Sequence, residues 1–144
     1  MPARQDPYRA MNFRVEIDGI AAALFSECTG LESSIDVVEY REGADSSLSV
    51  RKLPGLRKYS NITLKRGVTE DKELYRWHRN ILNGELDRRN GSIVLQDDQR
   101  NDVLRWTFRS GWICRYEGPA LSAKSSEVAM ETIEICHEGL ELDV

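Results

Sequence analysis

Pro54-Gly-Leu-Arg-Lys-Tyr-Ser-Asn-Ile-Thr-Leu-Lys-Arg-Gly67 runs directly into Val68-Thr-Glu-Asp-Lys-Glu-Leu-Tyr-Arg-Trp-His-Arg-Asn-Ile-Leu-Asn-Gly84, and the reading of this stretch decides the fold. In its first half Ser60, Ile62 and Leu64 alternate with Asn61, Thr63 and Lys65, which predicts a strand over 58–66 that Gly67 ends. In its second half Leu74, Trp77, Ile81 and Leu82 recur at helical spacing, so about 70–83 is expected to form a helix packed through a Leu74, Trp77 and Ile81 face. Thr69 stands where an N-cap belongs. Glu70, Asp71 and Glu73 fill the first turn, where the helix dipole favours acids, and Gly84 is placed to end the helix.

Upstream, 42–55 carries Gly, Ala, serines and Pro54-Gly55, and reads as a long loop projecting from the body. Loops of this length are functional more often than idle. Its inner part, 47–51, alternates weakly and fits a projecting hairpin that orders against a partner. The segment 46–69 has no acid but contains Arg51, Lys52, Arg57, Lys58, Lys65 and Arg66. The segment 117–144 has Glu117, Glu127, Glu131, Glu134, Glu138, Glu141 and Asp143 against Lys124 alone. These opposite charges can meet within one subunit or between two, where complementarity sets register.

Everything else reads as β. Phe13, Val15 and Ile17 alternate with Arg14, Glu16 and Asp18, and Asp18-Gly19 is a hairpin signal that needs positive φ at both positions of a type I′ turn. The returning strand begins at Ile20. A further strand spans 35–41, and Asn90-Gly91 reads as a second turn before a strand over 92–96. Over 103–116 the even residues Leu104, Trp106, Phe108, Ser110, Trp112, Cys114 and Tyr116 form one face, with Gly111 a candidate bulge. In 127–138 the apolar positions change face near Glu131-Thr132, which implies a bulge or burial of both faces. If that strand lies beside 103–116, Glu131 or Glu134 is expected to face Arg105 or Arg109. The fold class is therefore mainly β, an antiparallel barrel or sandwich with one flanking helix. The 144 residues are expected to form a single domain behind a flexible arm at 1–9.

The search for chemistry returns little. Cys28, Cys114 and Cys136 are odd in number and widely spaced, which argues against a disulfide framework or a zinc site. His78 and His137 have no readable partner, and Asp97, Asp98 and Asp102 read as a solvated turn. There is no phosphate loop, nucleophile elbow or His-Glu-x-x-His motif. No catalytic residue, metal or cofactor is expected. The run 51–66 with Tyr59 inside it is weighed against nucleic acid, but the net charge of −4 opposes specific binding of that kind. No apolar run is long enough to span a bilayer, so this chain alone is expected to insert into no membrane. The N-terminus lacks the apolar core of a secretory signal, so any passage out of a cell is expected to use another route.

Taken in order, several segments carry a resemblance. They are Asp6-Pro-Tyr through Phe13-Arg-Val-Glu-Ile-Asp-Gly19, Phe25-Ser-Glu-Cys-Thr-Gly-Leu-Glu32 and Tyr40-Arg-Glu-Gly43. Lys52-Leu-Pro-Gly-Leu-Arg-Lys-Tyr59 and Ile62-Thr-Leu-Lys-Arg-Gly67 follow, then the helix with Trp77 and Arg88-Arg-Asn-Gly-Ser-Ile-Val-Leu95, and last Trp112, Tyr116-Glu-Gly-Pro119 and Ile133-Glu-Ile135. Together they resemble the tail tube proteins of contractile phages and of phage-tail-like contractile injection systems. The resemblance implies a structural subunit that forms hexameric rings, stacked into a hollow tube and driven through a target envelope. It implies no catalysis. The partners it implies are other copies of the chain, sheath, baseplate and cap proteins, and cargo protein or phage DNA in the lumen. It places inter-ring and inter-subunit contacts in the projecting loop and the strand after it, at Ser46, Ser47, Leu48, Val50, Arg51, Lys52, Leu53, Arg57 and Lys58. Two alternatives stay open: a tube initiator or tail cap of the same particle, and a monomeric small-molecule-binding β-barrel.

Overall fold

The computed structural model of the chain describes residues 6–43 and 49–144, with backbone only at 21–23. The elements are β1 (Phe13–Ile17), β2 (Ile20–Ala23), β3 (Glu27–Thr29), β4 (Ser33–Tyr40), β5 (Arg51–Tyr59), β6 (Ile62–Gly67), α1 (Glu73–Leu82), β7 (Arg89–Gln96), β8 (Asp102–Glu117), β9 (Met130–Cys136) and β10 (Gly139–Leu142). Every strand pairing is antiparallel. One hydrogen-bonded path runs β2-β1-β7-β8-β9-β6-β3, with β10 beside β8, and β4-β5 forms a separate two-stranded sheet. The long sheet wraps one apolar cluster, in which Val15, Ile17, Ile93 and Phe108 meet Ile62, Leu64, Ile113, Ile133 and Ile135. The arrangement is the expected antiparallel barrel or sandwich with one helix.

The quoted stretch divides differently from the single 58–66 strand. β5 continues through Tyr59, and Ser60-Asn61 interrupts it before β6. Because β3 pairs with β6 and β4 pairs with β5, the two legs form one long hairpin with a joint in it. At the joint, Ser60 N donates to Glu32 O (3.3 Å) and Gly30 adopts φ +93°. A Cβ on Gly30 would lie 2.0 Å from Asn61 O, so only glycine lets the legs approach this closely. Pro54-Gly55 is not a loop end. Pro54 sits within β5 opposite Val37, at a register shift, where a missing N–H costs the ladder least. The expected loop 42–55 therefore shrinks from its C-terminal side.

Helix α1 starts at Glu73, later than the spacing predicts, and Lys72, not Thr69, is its N-cap. Arg66 explains the delay. Its guanidinium holds the Asp71 carboxylate (3.5 Å) and the Asp71 carbonyl (3.2 Å), which keeps the entry out of the helix. The Asp71 carboxylate in turn accepts from Glu73 N (2.9 Å). Leu74 and Trp77 are buried as expected, Ile81 is only half-buried, and Leu82 faces solvent at the frayed end. Trp77 Nε1 donates to Asp87 O (2.7 Å) and anchors the helix.

β8 changes face twice, so its even residues do not form a single face. Phe108 points inward. Ser110 then takes φ +53°, the register against β7 shifts, and Gly111 and Ile113 become the buried positions. Asn90 Oδ1 accepts from Ser110 N (3.0 Å) and holds this bulge. A second shift between Ile113 and Arg115 against β9 exposes Cys114 and brings Tyr116 opposite Ile133. Asn90-Gly91 is therefore not a turn but part of β7. Gly91 is required because Phe108 packs where its Cβ would be, 2.4 Å away. At Asp18-Gly19 the hairpin forms, but only Gly19 takes positive φ.

In β9 no bulge is needed. Glu131, Ile133 and Ile135 all point inward, and the register against β6 is regular. Glu131 is acceptable there because Arg66 meets it: Nε lies 2.5 Å from Oε1, and both residues are almost fully buried. Tyr116 donates to the other oxygen (2.9 Å). Burial first, and this hydrogen bond next, push the Tyr116 hydroxyl above its usual pKa. The expected pairing of Glu131 or Glu134 with Arg105 or Arg109 does not form. β9 runs beside the C-terminal half of β8, where Glu134 stands opposite Arg115. For Arg66 and Glu131, the basic and acidic segments meet within the subunit.

Candidate assembly interface

The β4-β5 hairpin leaves its apolar residues uncovered. Ile35, Val37, Val38 and Tyr40 on β4, and Leu53 and Leu56 on β5, are all exposed; Leu56 keeps 74% of its surface and Val37 62%. Register sets Ile35 opposite Arg57, Val37 opposite Pro54, Val38 opposite Leu53 and Tyr40 opposite Arg51. Successive strand residues point to opposite faces, so adjacent Val37 and Val38 put apolar surface on both sides of the ribbon. Two isolated strands are marginal in water, and an exposed apolar patch of this kind marks an interaction surface.

Arg51, Lys52, Leu53, Arg57 and Lys58, the candidate contact residues of this segment, all lie on β5, and Val50 immediately precedes it. Ser46, Ser47 and Leu48 lie outside the described residues. The structure brings the β5 residues together with β4, which carries Ile35, Val37, Val38 and Tyr40. Residue composition alone marks 35–41 as an ordinary strand and does not show its contribution to the surface. The available signal was the Val37-Val38 pair, which breaks alternation. Lys58 is tied to Asp36 (3.1 Å) in its own chain. The hairpin strands carry Arg51, Lys52, Arg57 and Lys58 against Asp36 and Glu39, a net basic ribbon.

The body's outer sheet face is built in the opposite way. Arg14 grips Asp102 (2.9 Å) and Glu16 (2.8 Å), and Arg105 grips Glu16 (2.8 Å). This lattice lies around Val94, whose neighbours across the ladder are Arg14 and Arg105, and Val94 is fully buried. Hydrogen bonds from Arg105 and then Arg14 hold the Glu16 carboxyl below its ordinary pKa. Arg14 and then Gln96 do the same for Asp102.

Among the described residues, no group of three or more His, Cys, Asp or Glu side chains is placed to hold a metal ion. His78 Nδ1 faces Ile113 O (2.8 Å) and His137 Nε2 faces Ser60 O (2.9 Å), so both rings brace backbone. Burial pushes the Cys28 thiol up to about 11, which suppresses the reactive thiolate.

The model of the T4-like virus tail tube protein gp19 family matches residues 9–141. The chain is 25% identical to a chain of the extended sheath–tube complex of the extracellular contractile injection system PVC, with a TM-score of 0.84, covering 95% of this chain and 91% of that one. It is 26% identical to a chain of the anti-feeding prophage tube-terminating cap, with a TM-score of 0.87, covering 99% and 95%. Hcp1 of Flavobacterium johnsoniae shares the fold at 15% identity, with a TM-score of 0.56 over 90% of this chain and 93% of Hcp1. Curated proteins gave no sequence match. A family match over nearly the whole chain, joined to an antiparallel β body with one helix and an uncovered apolar hairpin, places the chain in the gp19 tail tube family, as a structural tube protein of phage tails and contractile injection particles.

Proposed function

We propose that this chain is the repeating inner-tube subunit of a contractile particle, assembled in the bacterial cytoplasm. In this reading it forms hexameric rings that stack into a hollow tube. A sheath surrounds the tube and drives it through a target envelope, and cargo protein or DNA passes along its lumen. The hairpin carries the reading. A strand pair with apolar residues on both faces has no cover among the described residues of its own subunit, and neighbouring copies supply it. Pairing edges between copies also removes the aggregation hazard of free strands. The contacts fall on Val50, Arg51, Lys52, Leu53, Arg57 and Lys58, extended by Ile35, Val37, Val38, Tyr40 and Leu56. All of 1–144 acts as one tube domain.

The test is negative-stain electron microscopy and sedimentation of the purified protein. Rings or tubes are expected, and Arg57→Glu with Lys58→Glu is expected to abolish them while the monomer stays folded. A protein that remains monomeric at high concentration would sink the reading. A second reading, a tube terminator, is favoured by the likeness to the cap chain. It predicts single rings that bind tube ends without extending them.

A further inference from the structure

The hairpin meets the body at a joint where both legs lose strand pairing together. Gly30, Leu31 and Glu32 separate β3 from β4, and Ser60 and Asn61 separate β5 from β6. The ladder that ends at Thr29 and Thr63 therefore resumes only at Ser33 and Tyr59. Side chains add what the ladder lacks here. Ser60 Oγ donates to Glu32 Oε2 (3.1 Å) across the two legs. From the body, Glu134 Oε1 accepts from Asn61 Nδ2 (2.8 Å), and His137, just past β9, sets its Nε2 2.9 Å from Ser60 O. A carbonyl only accepts, so Nε2 carries the ring proton.

Packing alone does not account for an imidazole at this place. The His137 ring contacts Tyr59, the last residue of β5 (centroids 5.8 Å apart), and Phe108 of the core (6.0 Å). Its Nδ1 is enclosed, and no group among the described residues donates to it. A buried polar atom without a partner costs roughly 1–3 kcal/mol, and a phenyl ring would make similar contacts without that cost. What a phenyl ring does not supply is the N–H that reaches Ser60 O. We propose that His137 is the latch of a fixed elbow: its hydrogen bond to Ser60 sets the direction in which the β4-β5 hairpin leaves the body, in the single chain and before any partner is met. It holds Tyr59 by ring contact and Ser60 by hydrogen bond, and both belong to the leg that continues into the hairpin. The inference goes beyond the tube reading and does not depend on it.

The test reads the elbow and the body separately in the unassembled subunit. Nitroxide labels at Lys52→Cys on β5 and Glu117→Cys at the end of β8, with Cys28→Ala, Cys114→Ser and Cys136→Ser, report the hairpin-to-body distance by pulsed electron spin resonance. A single narrow distance is expected with His137 present. His137→Phe is expected to lose the narrow peak while the urea midpoint stays level or rises, because the bare Nδ1 is gone. His137→Gln, whose side-chain amide can donate to Ser60 O, is expected to restore the peak. A broad distribution with His137 present, a narrow one in His137→Phe, or no recovery in His137→Gln would each overturn the latch. With His137 in place, imidazole nitrogen NMR is expected to show the Nε2–H tautomer. The Nδ1–H tautomer would remove the bond to Ser60 and overturn the inference without any substitution of the ring.

Discussion

The body and the hairpin of this molecule are made of the same material, antiparallel strands rich in β-branched residues, yet they treat it in opposite ways. The body turns Val15, Ile62, Leu64, Ile93, Ile133 and Ile135 into a shared interior. Even its buried charges are matched inside the chain, Arg66 to Glu131 with Tyr116 closing the second oxygen. The hairpin turns Ile35, Val37, Val38, Leu53 and Leu56 outward. The difference separates two sources of stability: the body draws on its own fold, and in the proposed tube the hairpin draws on association. Stability of the monomer and competence to assemble should therefore separate by mutation.

The largest expected loss of stability is at the buried charge. Glu131→Ala leaves the buried Arg66 guanidinium only the longer contact to the more exposed Asp71 carboxylate (3.5 Å) and is expected to cost about 3 kcal/mol in urea unfolding. Arg66→Leu with Glu131→Leu should cost clearly less than that single change, because no uncompensated charge remains. Equal losses would mean that the pair is not what holds the junction between β6 and β9. Next comes Gly91→Ala, whose added methyl meets Phe108 at 2.4 Å and Glu16 O at 2.7 Å. Overpacking of this kind should lower stability by about 1–3 kcal/mol, read as a shift in the urea midpoint.

Acid should act on the body by a smaller amount. Arginine contacts hold the Glu16, Asp87 and Asp102 carboxyls below their ordinary values of 4.5, 3.8 and 3.8. The stability they contribute is complete above those values and is lost as pH falls through the lowered folded-state pKa. Thermal unfolding from pH 6 downward should show little change until about pH 4 and then a decline. Arg105→Ala should flatten that decline, and an unchanged slope would remove the Arg14–Glu16–Arg105–Asp102 lattice from the account.

The smallest change in stability is expected in the hairpin. Val38→Asp or Leu56→Asp should move the monomer's unfolding midpoint by the equivalent of about 0.5 kcal/mol or less. The same variants should abolish rings and tubes in sedimentation and microscopy. A hairpin variant that unfolds the body, or a stable one that still builds tubes, would break the contrast between the two regions.

Much of the body was legible in the sequence because burial there follows simple periods. Leu74 and Trp77 announce the helix, and Phe13, Val15 and Ile17 announce β1. The departures occur where long-range contacts override local pattern. The helix starts late because Arg66 holds Asp71. Asn90-Gly91 is a strand because Phe108 needs the space and Ser110 needs the amide. The even face of β8 fails because two register shifts reset it. At the hairpin the basic residues Arg51, Lys52, Arg57 and Lys58 were legible as charge, but the apolar half of the surface was not. Exposure is a property of what lies across from a strand, and Val37-Val38 look the same in sequence whether covered or bare.

By itself the sequence determined the β-rich body, its one helix, the basic segment and the family resemblance, because periodicity, glycine chemistry and charge are local. Only the tertiary structure decided that Glu131 is an interior residue and that Pro54 lies inside a strand. It alone showed a ribbon with apolar residues uncovered on both faces. Those outcomes depend on which strands become neighbours, and strand pairing is settled by contacts far apart in the chain.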